Sequence, residues 1–183
     1  TRPRGKNKKQ DKKFELDLLL DKKENSEHLM LLDLGRNDVG KVAKKSTVSV
    51  TSKFIVEKYS HVMHIVSNVI GKLKKNVTAI EALMAGFPAG TVTGAPKIRA
   101  MQIIDELEED ERGIYAGGIG YITPGGDMDT CIVLRTGIIT KNKLYVQAGG
   151  GVVYDSDPKL EYIETVNKAK AVLNAAAVVL GNN

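Results

Sequence analysis

The chain has 183 residues, of which 42% are hydrophobic and 27% charged, with a formal net charge of +5 and a pI near 9.2. That balance reads as an ordinary soluble globular protein, long enough to bury a real core as one domain. No apolar run suits a membrane span, no signal-peptide pattern opens the chain, and the single Cys131 excludes an internal disulfide framework and fits a reducing, cytoplasmic setting.

The basicity is local. Seven of the 27 basic residues (Arg2, Arg4, Lys6, Lys8, Lys9, Lys12 and Lys13) and one of the 22 acidic ones, Asp11, precede Phe14, so the rest is close to neutral. No aromatic interleaves with this segment, which argues against nucleic acid as a partner. Residues 1–13 are expected to form a basic arm or loop. The opening Thr1-Arg2-Pro3-Arg4-Gly5 reads like the middle of a loop, so a longer parent chain is expected.

From Phe14 to about Asp38 the apolar spacing predicts helix, as two helices meeting near Asp21 to Asn25, with Gly35 and Gly40 breaking the pattern. Thr47 to Thr51 alternates like a strand, and Tyr59 to Ile70 is rich in β-branched residues and reads as a long buried strand. Helical spacing returns from Val77 to Ala85. A small-residue loop, Gly86 to Lys97, leads into a helix from about Pro96 to Glu108. Strands are expected at Ile114 to Thr123, Thr130 to Thr140 and Lys143 to Gln147, the first two joined by the turn Pro124 to Asp127. Ser156 or Asp157 should cap a final helix running to about Val179. A strand meander between helices makes the fold class α+β.

Two Glu-x-x-Glu pairs, Glu24/Glu27 and Glu161/Glu164, fall in segments read as helix. Three-residue spacing puts both carboxylates of a pair on one face, and two such faces could hold a hard divalent cation through oxygen. A solvated Glu pair is the plain alternative for either one. Neither Cys131 nor the three histidines have the spacing of a zinc site. The loop from Gly90 to Lys97 can present free N–H groups and the hydroxyls of Thr91 and Thr93 to an anion, although capping explains it equally. It lacks the spacing of a phosphate-binding loop. Gly149, Gly150 and Gly151 can expose backbone N–H groups to a ligand or simply bend the chain.

Arg135 reads as buried in an apolar strand on one face with Val133 and Cys131, needing an internal or substrate carboxylate. His61 and His64, three apart in a strand, point to opposite faces, so one of them could serve as an acid or base or pack in the core. Together these features suit a small polycarboxylate ligand and a reaction assisted electrostatically by Mg²⁺.

The stretches Thr1 to Gly5 (TRPRG), Ser26 to Asp38 (SEHLMLLDLGRND), Tyr59 to His64 (YSHVMH), Phe87 to Lys97 (FPAGTVTGAPK) and Asp127 to Thr130 (DMDT) resemble the chorismate-utilising enzymes. Within them the wording is most similar to the anthranilate synthase branch, over essentially the whole chain as the C-terminal portion of a catalytic subunit. The resemblance implies the fold of that family, antiparallel sheets flanked by helices. It implies Mg²⁺ ligation by Glu27 and Glu164, with Glu24 and Glu161 as supporting carboxylates and His64 as the proton-transfer residue. It implies that Tyr115 and Arg135 hold the enolpyruvyl carboxylate of chorismate, and that Thr91, Gly149, Gly150, Gly151 and Lys168 line the substrate site. Tyr121 and Cys131 fall at the border of a tryptophan-sensing effector pocket. The implied reaction joins chorismate and ammonia, delivered by a glutamine amidotransferase subunit, to give anthranilate and pyruvate. Aminodeoxychorismate synthase shares most of these motifs, and a position that separates the two lies upstream of Thr1. Asp127 to Thr130 and Glu164 to Ala169 (ETVNKA) read more like the anthranilate branch. An inactive fragment or a binding module is the alternative of another class.

Overall fold

The computed structural model describes residues 1–59 and 62–181 and divides the chain into two compact units, Thr1–Gly90 and Thr91–Asn183.

In the first unit Asn7 caps helix α1 (Lys8–Leu20) by accepting from the Gln10 N–H. Asp21 then does two jobs. It leaves helical geometry to end α1, and its carboxylate accepts from the N–H groups of Lys23 and Glu24 to start helix α2 (Lys22–Val42). The helix begins earlier than the Phe14 of the sequence reading, so the supposed arm is largely structured. Its first residues form strand β1 (Arg2–Pro3), and Arg4 is tied to Asp11. Helix α2 also runs through Gly35 and Gly40, where breaks were expected. A glycine costs an exposed helix only about 1 kcal/mol, and α2 is anchored by its buried Leu32.

Strand β2 (Ser49–Lys58) extends well past Thr51, and β3 covers Val62–Ile70. The sheet order is β1-β3-β2, all antiparallel, with Arg2 opposite Met63 and Glu57 opposite His64. Leu18 and Met63 are fully buried and, with Leu32 and Ala43, form this unit's core. The β2–β3 register slips between Ser52 and Ile55, and Phe54 there takes a left-handed φ of 54°, the signature of a bulge. Helix α3 (Ala79–Gly86) starts at a capping box in which Thr78 and Glu81 serve each other's backbone N–H.

In the second unit helix α4 (Lys97–Leu107) begins after Pro96, which holds the N-cap position. Strands β4 (Gly118–Ile122) and β5 (Met128–Ile132) form a hairpin whose turn uses Gly126 at φ 90°. Buried Ala116 and Val133 extend the pairing through the Ala116 N–H to Val133 carbonyl bond. A second hairpin joins β6 (Gly137–Thr140) to β7 (Lys143–Val146). Helix α5 (Pro158–Val179) is capped by Asp157, which accepts from the Leu160 N–H, and it packs on this hairpin. The approach is tight at Gly137, where a Cβ would lie 2.7 Å from Leu144 Cδ1 and 3.1 Å from Val172 Cγ1.

Two strand expectations need correction. The strand expected from Thr130 to Thr140 is interrupted at residues 133–136, and Tyr115 lies in a turn ahead of β4. Each break coincides with a left-handed residue, Arg135 at φ 53° and Ala116 at φ 64°, which a continuous ladder does not accommodate. The architecture is α+β, as read from the sequence.

Candidate functional site

Within the first unit, Glu24, Glu27 and His28 from the start of α2 and His64 and Ile65 from β3 line one concavity of about 120 Å³, completed by Thr1 and Leu31. The Asp21 cap fixes where α2 begins and so which way its first acidic face points. Thr1 Oγ1 and His64 Nδ1 share a hydrogen bond of 2.7 Å, and the Tyr59 ring meets the His64 ring edge-on at 5.8 Å. His61, the other histidine of the motif, lies outside the described residues.

The carboxylates carry local counter-charges. Glu24 stands 3.6 Å from Arg2, and Lys23 stands 3.7 Å from Glu27. Arg2 also bonds Asp17 and Asp21, each at 2.6 Å. Those bonds raise the Arg2 guanidinium above its usual range, with Asp17 the largest cause. The Asp21 carboxyl is lowered, first by the backbone N–H of Glu24 and then by Arg2. Like-charge repulsion within Glu24/Glu27 is thus relieved by neighbouring cations.

His28, which the sequence reading passed over, is tied to the bulge. His28 and the Ser67 Oγ share a 2.7 Å bond, Ser67 accepts from the Phe54 N–H at 3.0 Å, and the Phe54 ring meets His28 edge-on at 4.7 Å. Burial lowers the His28 pKa.

Within the second unit the structure gathers Tyr115, Gly149, Gly150, Glu161, Glu164 and Lys168. Lys168 Nζ lies 2.5 Å from Glu164 Oε1, one helical turn earlier on α5, and donates to the Gly149 carbonyl at 3.1 Å. A Cβ on Gly149 would sit 2.8 Å from Tyr115 Oη, and one on Gly150 would sit 3.5 Å from Glu161 Oε2. Both glycines therefore allow a close approach, whereas nothing crowds Gly151. Thr91 is exposed on the 3-10 turn Gly90–Val92.

Arg135 departs from expectation. It is exposed at the bend between β5 and β6, not buried in a strand, while Val133 two residues earlier is buried. A left-handed residue turns its side chain out of the alternation on which the shared face was read. Tyr121 and Cys131 are both exposed on one face of the β4–β5 hairpin, since Cys131 opposes Ile119, two residues from Tyr121.

Every side chain singled out for a metal is a carboxylate, the donor that suits Mg²⁺. Among the described residues no three His, Cys, Asp or Glu side chains converge as a ready-made metal cage.

The family model for chorismate binding enzymes matches residues 1–174. Among curated proteins, anthranilate synthase component 1 of Cereibacter sphaeroides is 63% identical over 176 residues, 96% of this chain and 35% of that one. Its counterpart in Pseudomonas aeruginosa is 57% identical over 97% of this chain and 36% of its own length. The chain thus spans about a third of the length of these relatives. The crystal structure of anthranilate synthase component I from Streptococcus pneumoniae superposes with a TM-score of 0.86 at 53% identity, covering 90% of this chain and 38% of that one. The menaquinone-specific isochorismate synthase of Escherichia coli gives 0.83 at 26% identity, covering 93% and 39%.

Proposed function

The chain belongs to the family of chorismate-binding enzymes, and from that premise we propose that it forms the C-terminal part of an Mg²⁺-dependent, cytoplasmic enzyme making anthranilate and pyruvate from chorismate and ammonia. One observation carries the reading beyond family membership: His64, Glu24 and Glu27, drawn from distant parts of the sequence, line a single concavity. The relatives named as anthranilate synthase component 1 favour this product over aminodeoxychorismate.

In this proposal Glu27 and Glu164 bind Mg²⁺, with Glu24 and Glu161 supporting them. When bound, the ion would grip the substrate's ring carboxylate and stabilise charge that develops there. His64 transfers the proton at the ring hydroxyl, and the Thr1 hydroxyl on its Nδ1 holds the ring in orientation. Tyr115, Arg135, Thr91, Lys168 and the glycines Gly149 to Gly151 receive the enolpyruvyl carboxylate and the rest of the substrate. The exposed Arg135 is available to an external carboxylate in bidentate fashion. Ammonia would come from a glutamine amidotransferase subunit. The exposed pair Tyr121 and Cys131 is proposed to border a tryptophan effector pocket.

The test is an assay of the full-length protein with chorismate, Mg²⁺ and ammonium salt, identifying the aromatic product. Fluorescent anthranilate with stoichiometric pyruvate supports the reading. Aminodeoxychorismate overturns it in favour of the sister reaction, and no turnover would leave the chain a binding module.

A further inference from the structure

Arg112 lies at the end of an acidic run, Glu108 to Glu111, and looks in sequence like one more surface charge. In the structure its guanidinium joins three separate segments of the second unit. Nε donates to Glu108 Oε2 at 2.8 Å and Nη2 to Glu108 Oε1 at 2.5 Å, a fork on the residue that ends α4. Nη1 donates to the Val92 carbonyl at 2.6 Å, next to Thr91. The guanidinium carbon stands 5.7 Å from the Tyr115 ring centroid, within cation–π range. Tyr115 in turn abuts Gly149.

A planar fork suits this arrangement in a way that a lysine does not. Two edges of one rigid group are committed at fixed angles, and its face remains for the aromatic ring. The Glu108 contact raises the Arg112 guanidinium and lowers the Glu108 carboxyl, so the pair stays ionised.

We propose that Arg112 is a positioning residue, which fixes the spacing between the Thr91 turn and Tyr115 and so shapes the surface that receives the substrate's carboxylate. The proposal rests on the function reading above for the identity of that substrate.

The test is steady-state kinetics of the full-length protein carrying Arg112→Lys or Arg112→Met, alone and combined with Thr91→Val and Tyr115→Phe. The expected result is a rise in KM for chorismate of about tenfold, with a smaller change in kcat. Arg112→Lys should recover only part of the loss, because a compact ammonium has neither the planar fork that grips Glu108 nor a flat face for the Tyr115 ring. In the Thr91→Val, Tyr115→Phe background the same substitution should have a much smaller effect, since the residues it positions are already disabled. An unchanged KM in an active Arg112→Lys protein, or full additivity in the combined variant, overturns the proposal. A parent protein that ignores chorismate overturns the function reading instead, and this inference falls with it.

Discussion

Gly149 lies so close to Tyr115 that a Cβ at position 149 would be 2.8 Å from the phenolic oxygen and 3.8 Å from Cζ. Only the hydroxyl is in the way. Gly149→Ala should therefore displace the Tyr115 side chain, which can swing, and cost stability by about 1–3 kcal/mol. KM for chorismate should rise about tenfold. Tyr115→Phe removes the obstructing atom, so adding Gly149→Ala to it should change KM little further. A double-mutant cycle that came out additive would show that the glycine matters for another reason.

Ser67 serves two partners, accepting from the Phe54 N–H at the bulge and sharing a bond with His28. Ser67→Ala leaves a partly buried N–H without its acceptor and should destabilise the protein by about 1–3 kcal/mol. Urea unfolding measures this directly. Unchanged stability would mean that the bulge is held by its packing and not by this hydroxyl.

The Arg4–Asp11 pair should be visible in acid. The Arg4 side-chain bond, followed by the Gly5 N–H, lowers the Asp11 carboxyl from 3.8 to about 2. A depressed folded-state pKa stabilises the fold above the unfolded value, and that contribution is lost as pH falls through the folded value. The window thus lies between pH of about 4 and 2. Arg4→Met should move the Asp11 carboxyl back toward 3.8 in an NMR titration and weaken the pH dependence of stability across that window. An Asp11 resonance that titrates as before would dismiss the pairing.

Some local chemistry was legible in the sequence. Asp157 announces a helix start because a carboxylate three residues from a free N–H needs no distant partner; the Asp21 cap and the Thr78/Glu81 capping box are equally local, but the sequence was read there only for apolar spacing. Phe54 and Arg135 were not legible, since their left-handed backbones appear where strand pairing slips or stops. Gly35 and Gly40 misled because propensity is weak against a helix anchored by tertiary contacts. For the candidate site, carboxylate spacing and glycine content pointed to a cation and an anion, but only the motif wording pointed to chorismate. Arg112 was hidden by its acidic neighbours, and its role depends on Val92, twenty residues away.

Glu27 and Glu164 give the sharpest test of the metal assignment. Both are surface-accessible and engaged with lysines, Lys23 at 3.7 Å and Lys168 at 2.5 Å, each pair four residues apart in a helix. Exposed pairs of this kind stabilise a fold by well under about 1 kcal/mol. Glu27→Gln and Glu164→Gln should therefore leave the thermal midpoint nearly unchanged. If the carboxylates bind Mg²⁺, each variant should lower the metal's affinity, read by calorimetry without turnover, and reduce kcat at least about 100-fold. Lys23→Met and Lys168→Met separate ion pairing from ligation, because they remove the same contacts while leaving the carboxylates in place. Magnesium affinity that survives in both Gln variants would end the assignment.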